Sequence, residues 1–340
     1  MRQVWIPRAG PPEVLELREA RDPIPKHGEL RIRVAAAGVN FADVMGRLGL
    51  YPDLPPMPVV PGYEVAGRVD AVGDGVESDW VGRDVLAMTR FGGYADAVCV
   101  PEAQVSTRPA GMSAEEGAAL PVNYLTAWQL LFVMGSLHAG ETMLVHSAGG
   151  GVGIAAIQLA KYVGARVFGT ASAGKHDRLK ALGVDACIDY TREDFEARVR
   201  ELTHGRGVEL ILDAVGGSSF KKSYRSLAAT GRLGMFGMSA AAPGKRRSLL
   251  RALGPALRTL RLRFKARPLI DANKGVFGVN VGHLWDEGDR VASWMERLLA
   301  LYGQGVVRPI VDRSFPLERA AEAHHYLQDR KNFGKVLLTA

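Results

Sequence analysis

Cysteine is nearly absent: only Cys99 and Cys187 occur in 340 residues. They stand too far apart for any CxxC-type motif, and a four-cysteine structural zinc site lacks two of its ligands. A reduced, cytoplasmic setting is the expectation. Long apolar runs are missing too. None reaches the roughly 18 residues that suggest a membrane span, and the opening MRQVWIPRAGPPEVLELREA has no apolar core of a secretory signal. Histidine is sparse, and none of the eight (27, 138, 146, 176, 204, 283, 324 and 325) lies four residues from another as helix-borne metal ligands would. His324 and His325, adjacent on an expected helix, point in different directions.

Acid is missing from one long segment. Residues 244–267, GKRRSLLRALGPALRTLRLRFKAR, hold nine Lys or Arg and no Asp or Glu, which leaves 34 basic against 36 acidic residues elsewhere. The net charge of +7 is therefore local, and a single aromatic with no accompanying module argues against nucleic acid as partner. Leu249, Leu253, Leu257, Leu260 and Phe264 recur at helical spacing, and Pro255 would kink such a helix or restart it. Two readings stay open for this segment: weak contact with an anionic membrane surface, or a solvated basic face over the substrate site or at a subunit contact.

With 47% hydrophobic and 23% charged residues, the chain has the composition of a soluble globular protein, and its length implies two domains. Through about residue 110, short apolar runs separated by Gly or Pro read as strands of a partly open barrel or sandwich. Ser113 followed by Glu116 is a capping-box pattern ahead of helical spacing. From residue 141 strands and helices alternate, which implies a parallel sheet covered on both faces and an α/β class overall. The last 30 or so residues combine a helix with a final strand, KVLLTA.

HSAGGGVGIAAIQLAK, residues 146–161, follows a strand and opens a helix. In that setting the glycines let backbone turn tightly against a pyrophosphate, and the helix N-terminus offers free N–H groups to its charge. NAD calls for an acid about 20 residues on. No Asp or Glu occurs between Gly153 and Asp177, and Thr170-Ala171-Ser172 and Lys175 stand there instead. A hydroxyl and a cation suit a 2′-phosphate, so NADPH is the expected cofactor.

VAAAGVNFADVMGRLGLYP (34–52), VVPGYEVAGRVDAVGDGV (59–76), LPVNYLTAWQLL (120–131), MLVHSAGGGVG and NFGKVLLT together resemble the medium-chain dehydrogenase/reductase superfamily over nearly the whole length. Within it the chain looks like the zinc-independent quinone oxidoreductases. NKGVFGVNVGHLW and LLALYGQGVVRPIVD are most similar to the VAT-1 homologues, and NFADVMGRLGLYP also resembles polyketide enoyl reductases. The resemblance implies a GroES-like β-rich catalytic domain (1–118), a doubly wound Rossmann domain (119–268), a return completing the catalytic domain (269–340), and an active site in the cleft between the domains. It places the nicotinamide near Thr126 and the pyrophosphate on Gly150, Gly151, Val152 and Gly153, with Ala148 in the same loop. Ser172, Lys175 and Tyr190 would meet the 2′-phosphate, and Phe277, Gly278, Val279 and Asn332 the nicotinamide end. A homodimer is expected.

Zinc-dependent members of that superfamily carry a Cys where Asn40 stands and a His where Tyr63 stands, so no metal is expected. Without a Lewis acid, alcohol oxidation has nothing to lower the cost of an alkoxide. Hydride transfer to a quinone or α,β-unsaturated carbonyl needs only orientation and donors for the developing oxyanion. Tyr51 ranks first among donors, with Asn40 and Tyr63 behind it. Asn40 has an equal alternative as N-cap of FADVMGRL, Glu64 reads as a structural acceptor, and His146 as packing. An enoyl-thioester reductase, or a membrane- or lipid-associated protein with little turnover, are the alternatives.

Overall fold

The computed structural model describes residues 1–242 and 262–340. Among them the chain divides into two compact units, Met1–Leu125 with Gly282–Ala340, and Thr126–Val281. The readings of 244–267 as a membrane-surface or subunit-contact segment fall outside the described residues, except for 262–267. No helix of the described residues is long and apolar enough to cross a membrane.

The first unit opens with an antiparallel ribbon of β1 (Arg2–Trp5) and β2 (Glu16–Glu19). Strands β3 (Glu29–Val39), β4 (Glu64–Val72), β5 (Asp84–Met88), β6 (Ala97–Pro101) and β7 (Val105–Thr107) follow. In β3 the period of two is plain. Leu30, Ile32 and Val34 face the core, while Arg31 and Arg33 turn outward and grip Asp70 of β4 at 2.8 and 2.6 Å. The expected capping box forms: Ser113 Oγ accepts from the Glu116 N–H at 3.1 Å, and the Glu116 carboxylate accepts from the Ser113 N–H at 3.0 Å, starting the helix Ala114–Ala119.

The second unit contributes β8 (Thr142–Val145), β9 (Arg166–Ala171), β10 (Ala186–Asp189), β11 (Val208–Asp213), β12 (Leu227–Met235) and β13 (Gly275–Gly278). All pairings are parallel, in the order β10-β9-β8-β11-β12-β13. β8 and β11 are buried along their whole length, which is why they read as continuous apolar runs rather than alternating ones. Leu144, Phe168, Ile188, Val208, Ile211 and Leu233 form the core. The strand order reverses between β8 and β11, and the glycine loop leaves β8 at that switch point, where doubly wound sheets bind their ligands. β13, grouped by the sequence reading with the return 269–340, pairs with β12 and belongs to this sheet.

The chain then completes the first unit with β14 (Val311–Pro316) and β15 (Lys335–Thr339). Its seven-stranded sheet runs β14-β15-β3-β4-β5-β7, with β6 also on β3. Leu30, Ile32, Val65, Val85, Tyr94, Phe315 and Val336 pack in its core.

Candidate functional site

The dinucleotide unit carries its candidate site at the C-terminal ends of β8 and β9. Ser147 takes a positive φ of 55°, Ala148 is fully buried with its N–H on Thr170 O at 3.1 Å, and Gly150 caps the helix Gly151–Tyr162. The first bond of that helix runs from the Ile154 N–H to Gly150 O at 2.9 Å, so the N–H groups of Gly151, Val152 and Gly153 precede it and open toward an anion. A Cβ at Gly153 would lie 2.6 Å from the carbonyl oxygens of both Ser147 and Ala148, so only glycine lets the loop fold this tightly. These features fit a dinucleotide pyrophosphate.

The β9–β10 register sets Asp189 opposite Ala171, which brings Tyr190 beside Ser172 at one sheet end, with Lys175 one short turn on. Asp189 itself is turned to Thr191, whose N–H and hydroxyl it accepts at 3.0 and 2.7 Å. Thr126 is buried in the helix Pro121–Trp128, and Phe277, Gly278 and Val279 lie on and just after the edge strand β13. His146 packs below the loop. Its ring bridges Thr170 Oγ1 at 3.0 Å and Ser223 Oγ at 3.1 Å, and burial lowers its pKa despite Asp213 at 3.9 Å.

In the first unit, Glu64 and Lys335 form a buried ion pair. Backbone register brings it about. β15 pairs Val336 with Val39, so the next step sets Lys335 against Asn40. β4 pairs Val65 with Ala37, so Glu64 falls opposite Gly38. A Cβ at Gly38 would lie 2.4 Å from the Glu64 carboxylate, so its hydrogen is what lets that side chain cross β3. Asn40 closes the group: Nδ2 donates to Glu64 Oε1 at 2.9 Å and Oδ1 accepts from Lys335 Nζ at 2.6 Å. The second oxygen of Glu64 accepts from the Val122 N–H at 2.7 Å. Burying two charges costs several kcal/mol, roughly, and such a pair holds only when further hydrogen bonds satisfy it, as they do here. The expectation that Asn40 donates to a substrate oxygen needs correcting, because its amide N–H groups are engaged by Glu64 and, at 3.4 Å, Gly38 O. The alternative reading of Asn40 as an N-cap holds, in a capping box with Asp43. Asn40 starts the helix Phe41–Arg47, and the Asp43 carboxylate accepts from the Asn40 N–H at 2.8 Å.

Asp43 begins a second buried chain that the sequence did not reveal. It accepts from the Gly62 N–H at 3.0 Å and from the Tyr94 hydroxyl at 3.1 Å. That hydroxyl meets His324 Nε2 at 3.2 Å, and His324 Nδ1 meets Arg47 Nε at 3.3 Å. His324 is an acceptor toward Arg47 because burial lowers its pKa to about 3. His325 faces away and pairs with Glu13 at 2.6 Å.

Tyr51 and Tyr63 line one cavity of about 350 Å³, walled also by Phe91 and Trp285, with Asp53 and His283 on its lining. The two tyrosine rings meet edge-on at 6.0 Å, and Phe91 tilts against Tyr63 at 5.1 Å. Tyr63 is only 7% exposed, and among the described residues its hydroxyl finds no partner at ordinary hydrogen-bond geometry, although the Tyr51 side chain lies close enough to perturb it. Burial, with the nearby Asp43 carboxylate and Tyr51, raises its pKa far above that of an ordinary phenol. Asn332 lies apart from this cavity lining, its amide donating to Gly334 O at 2.8 Å. Among the described residues, no three His, Cys, Asp or Glu side chains come together as a metal site.

Two family models match the chain: the alcohol dehydrogenase GroES-like domain over residues 26–110 and the zinc-binding dehydrogenase over 182–338. The mouse synaptic vesicle membrane protein VAT-1 homolog is 44% identical over 95% of this chain and 79% of its own length. The human VAT-1 homolog-like protein superposes with a TM-score of 0.86 at 33% identity, covering 100% of this chain and 98% of that one. The Escherichia coli quinone oxidoreductase complexed with NADPH gives 0.88 at 28% identity, with both chains fully covered.

The buried carboxyl of Asp43 has a measurable signature. Burial raises its pKa from 3.8 to about 7, against the hydrogen bonds it accepts and the Lys335 charge. Folding therefore favours the protonated acid. The stability this contributes is complete below about pH 4 and is lost as the pH rises toward about 7. Between about pH 5 and 7, thermal denaturation should show wild type losing roughly 2–4 °C per pH unit relative to Asp43→Asn. Parallel melting curves would contradict the assignment.

Proposed function

This chain belongs to the medium-chain dehydrogenase/reductase superfamily as an NAD(P)-dependent oxidoreductase of the quinone oxidoreductase and VAT-1 type; from that premise we propose that it reduces a quinone or α,β-unsaturated carbonyl with NADPH, without zinc. The observation that carries this reading is the buried Tyr63 hydroxyl on the lining of an aromatic-walled cavity, with no partner at ordinary hydrogen-bond geometry among the described residues. An oxygen that gains negative charge during reduction needs a preorganised donor that does not itself ionise. A phenol whose pKa is pushed up by burial is such a donor. Phe91 and Trp285 offer flat apolar faces to a planar acceptor. Tyr63 therefore replaces Tyr51 as first-ranked donor, with Tyr51 as the second phenol of the same lining.

The cofactor supplies hydride when bound. The protein's part is to hold it through the N–H groups of Gly151, Val152 and Gly153, and to receive the 2′-phosphate with Ser172, Lys175 and Tyr190. Thr126 and the segment Phe277, Gly278 and Val279 are the proposed contacts at the nicotinamide end. The metal-free part of the reading rests on side-chain chemistry. Asn40 and Tyr63 supply an amide and a neutral phenol, which are poor zinc ligands, and Glu64 is already neutralised by Lys335.

Steady-state NADPH oxidation with a quinone panel tests the donor. Tyr63→Phe should lower kcat roughly tenfold to a hundredfold with KM for NADPH unchanged. Full activity in that variant would remove Tyr63 from the chemistry. Fluorescence titration tests the cofactor. Lys175→Ala should weaken NADPH binding about tenfold and leave NADH nearly unchanged, whereas equal effects on both would contradict the 2′-phosphate assignment.

A further inference from the structure

The reductase reading leaves a chemical gap. A quinone that has accepted hydride is a hydroquinone monoanion, and a neutral product needs one proton more. The Tyr63 phenol is a poor source for it. Losing its proton would put a phenolate in a buried position near the Asp43 carboxylate, the two influences that already raise its pKa. The proton must come from another group with access to the same cavity.

We propose that His283 and Asp53 form a proton-delivery pair for a quinone bound in this cavity, an inference that rests on the reductase reading. His283 Nε2 lies 2.6 Å from Asp53 Oδ2, although the two residues are far apart in sequence. Both line the cavity that Tyr51 and Tyr63 enter. Stability does not explain the placement. The side chains are 58% and 40% exposed, and exposed ion pairs contribute little to folding. Exposure does suit a proton carrier, because the imidazole can be reloaded from solvent after each turnover. Histidine is the side chain whose charge changes most readily near neutral pH, and a carboxylate at one ring nitrogen fixes the orientation of the ring.

The transfer balances simply. The hydride and its electron pair come from the reduced nicotinamide, which is oxidised. The displaced quinone π pair rests on oxygen. The ring nitrogen of His283 not engaged by Asp53 gives up its proton, so an O–H bond forms as an N–H bond breaks and the electron pair stays on nitrogen. The product is a neutral hydroquinone and the histidine is left neutral. Arg90 and Asp286 are the other charged groups on the lining, with Tyr51 and Tyr63 the remaining titratable ones. Any pH profile of His283 is read against those four and Asp53.

Two readouts test the pair, with melting curves and NADPH titrations confirming that each variant is folded. In quinone turnover, wild-type kcat should fall with rising pH as the imidazolium is lost. His283→Gln should lower kcat about tenfold or more, flatten that profile, leave NADPH affinity unchanged, and recover activity when imidazole is added. Asp53→Asn, which releases the ring from its fixed orientation, should also lower kcat with NADPH affinity unchanged. Without any nucleotide, para-nitrophenol serves as an analogue of the hydroquinone monoanion, and its absorbance reports the ionised fraction in the cavity. Wild type should favour bound phenolate, and His283→Gln should lose that preference about tenfold. A His283→Gln enzyme with the wild-type pH profile and phenolate preference overturns the proposal. Wild-type protein that turns over no quinone sinks the reductase reading instead, and the nitrophenolate measurement then decides on the pair by itself.

Discussion

The buried ion pair between Glu64 and Lys335 is the constraint on which the first unit's chemistry depends. It ties β15 to β4 across β3, draws in Asn40 at the start of the helix Phe41–Arg47, and reaches the backbone of Val122. Three strands are thereby held in one register at the point where Tyr63 leads into β4. The neighbour of Glu64 in sequence is thus fixed on rigid backbone, and its ring is further held between Tyr51 and Phe91. Removing either charge would leave the other buried without a partner, a change that typically costs about 3–5 kcal/mol. The arrangement makes the Glu64 carboxylate a structural element and leaves the neighbouring Tyr63 phenol on the cavity lining.

The two units divide the chemistry by kind. Parallel strands and a helix N-terminus turn free backbone N–H groups to one point, needing glycine where a Cβ would collide with Ser147 and Ala148. The antiparallel sheet instead positions side chains by alternation, so a single residue's register decides whether it meets the core or the cavity. Charged groups buried in the first unit are each answered by a partner. Asp43 is held by Asn40, Gly62 and Tyr94, and Arg47 by Gly10, Gln328 and His324. The Tyr63 hydroxyl, like Arg108 Nε, lacks a partner of that kind among the described residues, and its place on the cavity lining is what gives it a chemical reading.

Much of the fold was legible because it rests on local signals. The strand–Gly loop–helix of residues 142–162 and the Ser113–Glu116 cap both follow from spacing. The sheet position of β13 was not legible, since a four-residue strand reached after a long connection carries no periodicity. Site legibility followed the same line. The glycine loop and the Ser172–Lys175 region belong to one contiguous βαβ unit. The partner of Glu64 lies at position 335 and that of Asp53 at 283, and no local pattern announces a contact at such separation. Asn40 illustrates the limit well: one reading made it a donor to substrate and the other the cap of one helix, whereas residues brought in by neighbouring strands decide what its amide does.

The central claim is that a neutral phenol, backed by an internally neutralised carboxylate, does the work that a bound metal would otherwise do. The most direct measurement is quinone turnover by protein of known metal content, before and after exhaustive chelation. The account predicts an unchanged rate with zinc far below one equivalent. Activity that disappears on chelation and returns in proportion to added zinc would contradict it.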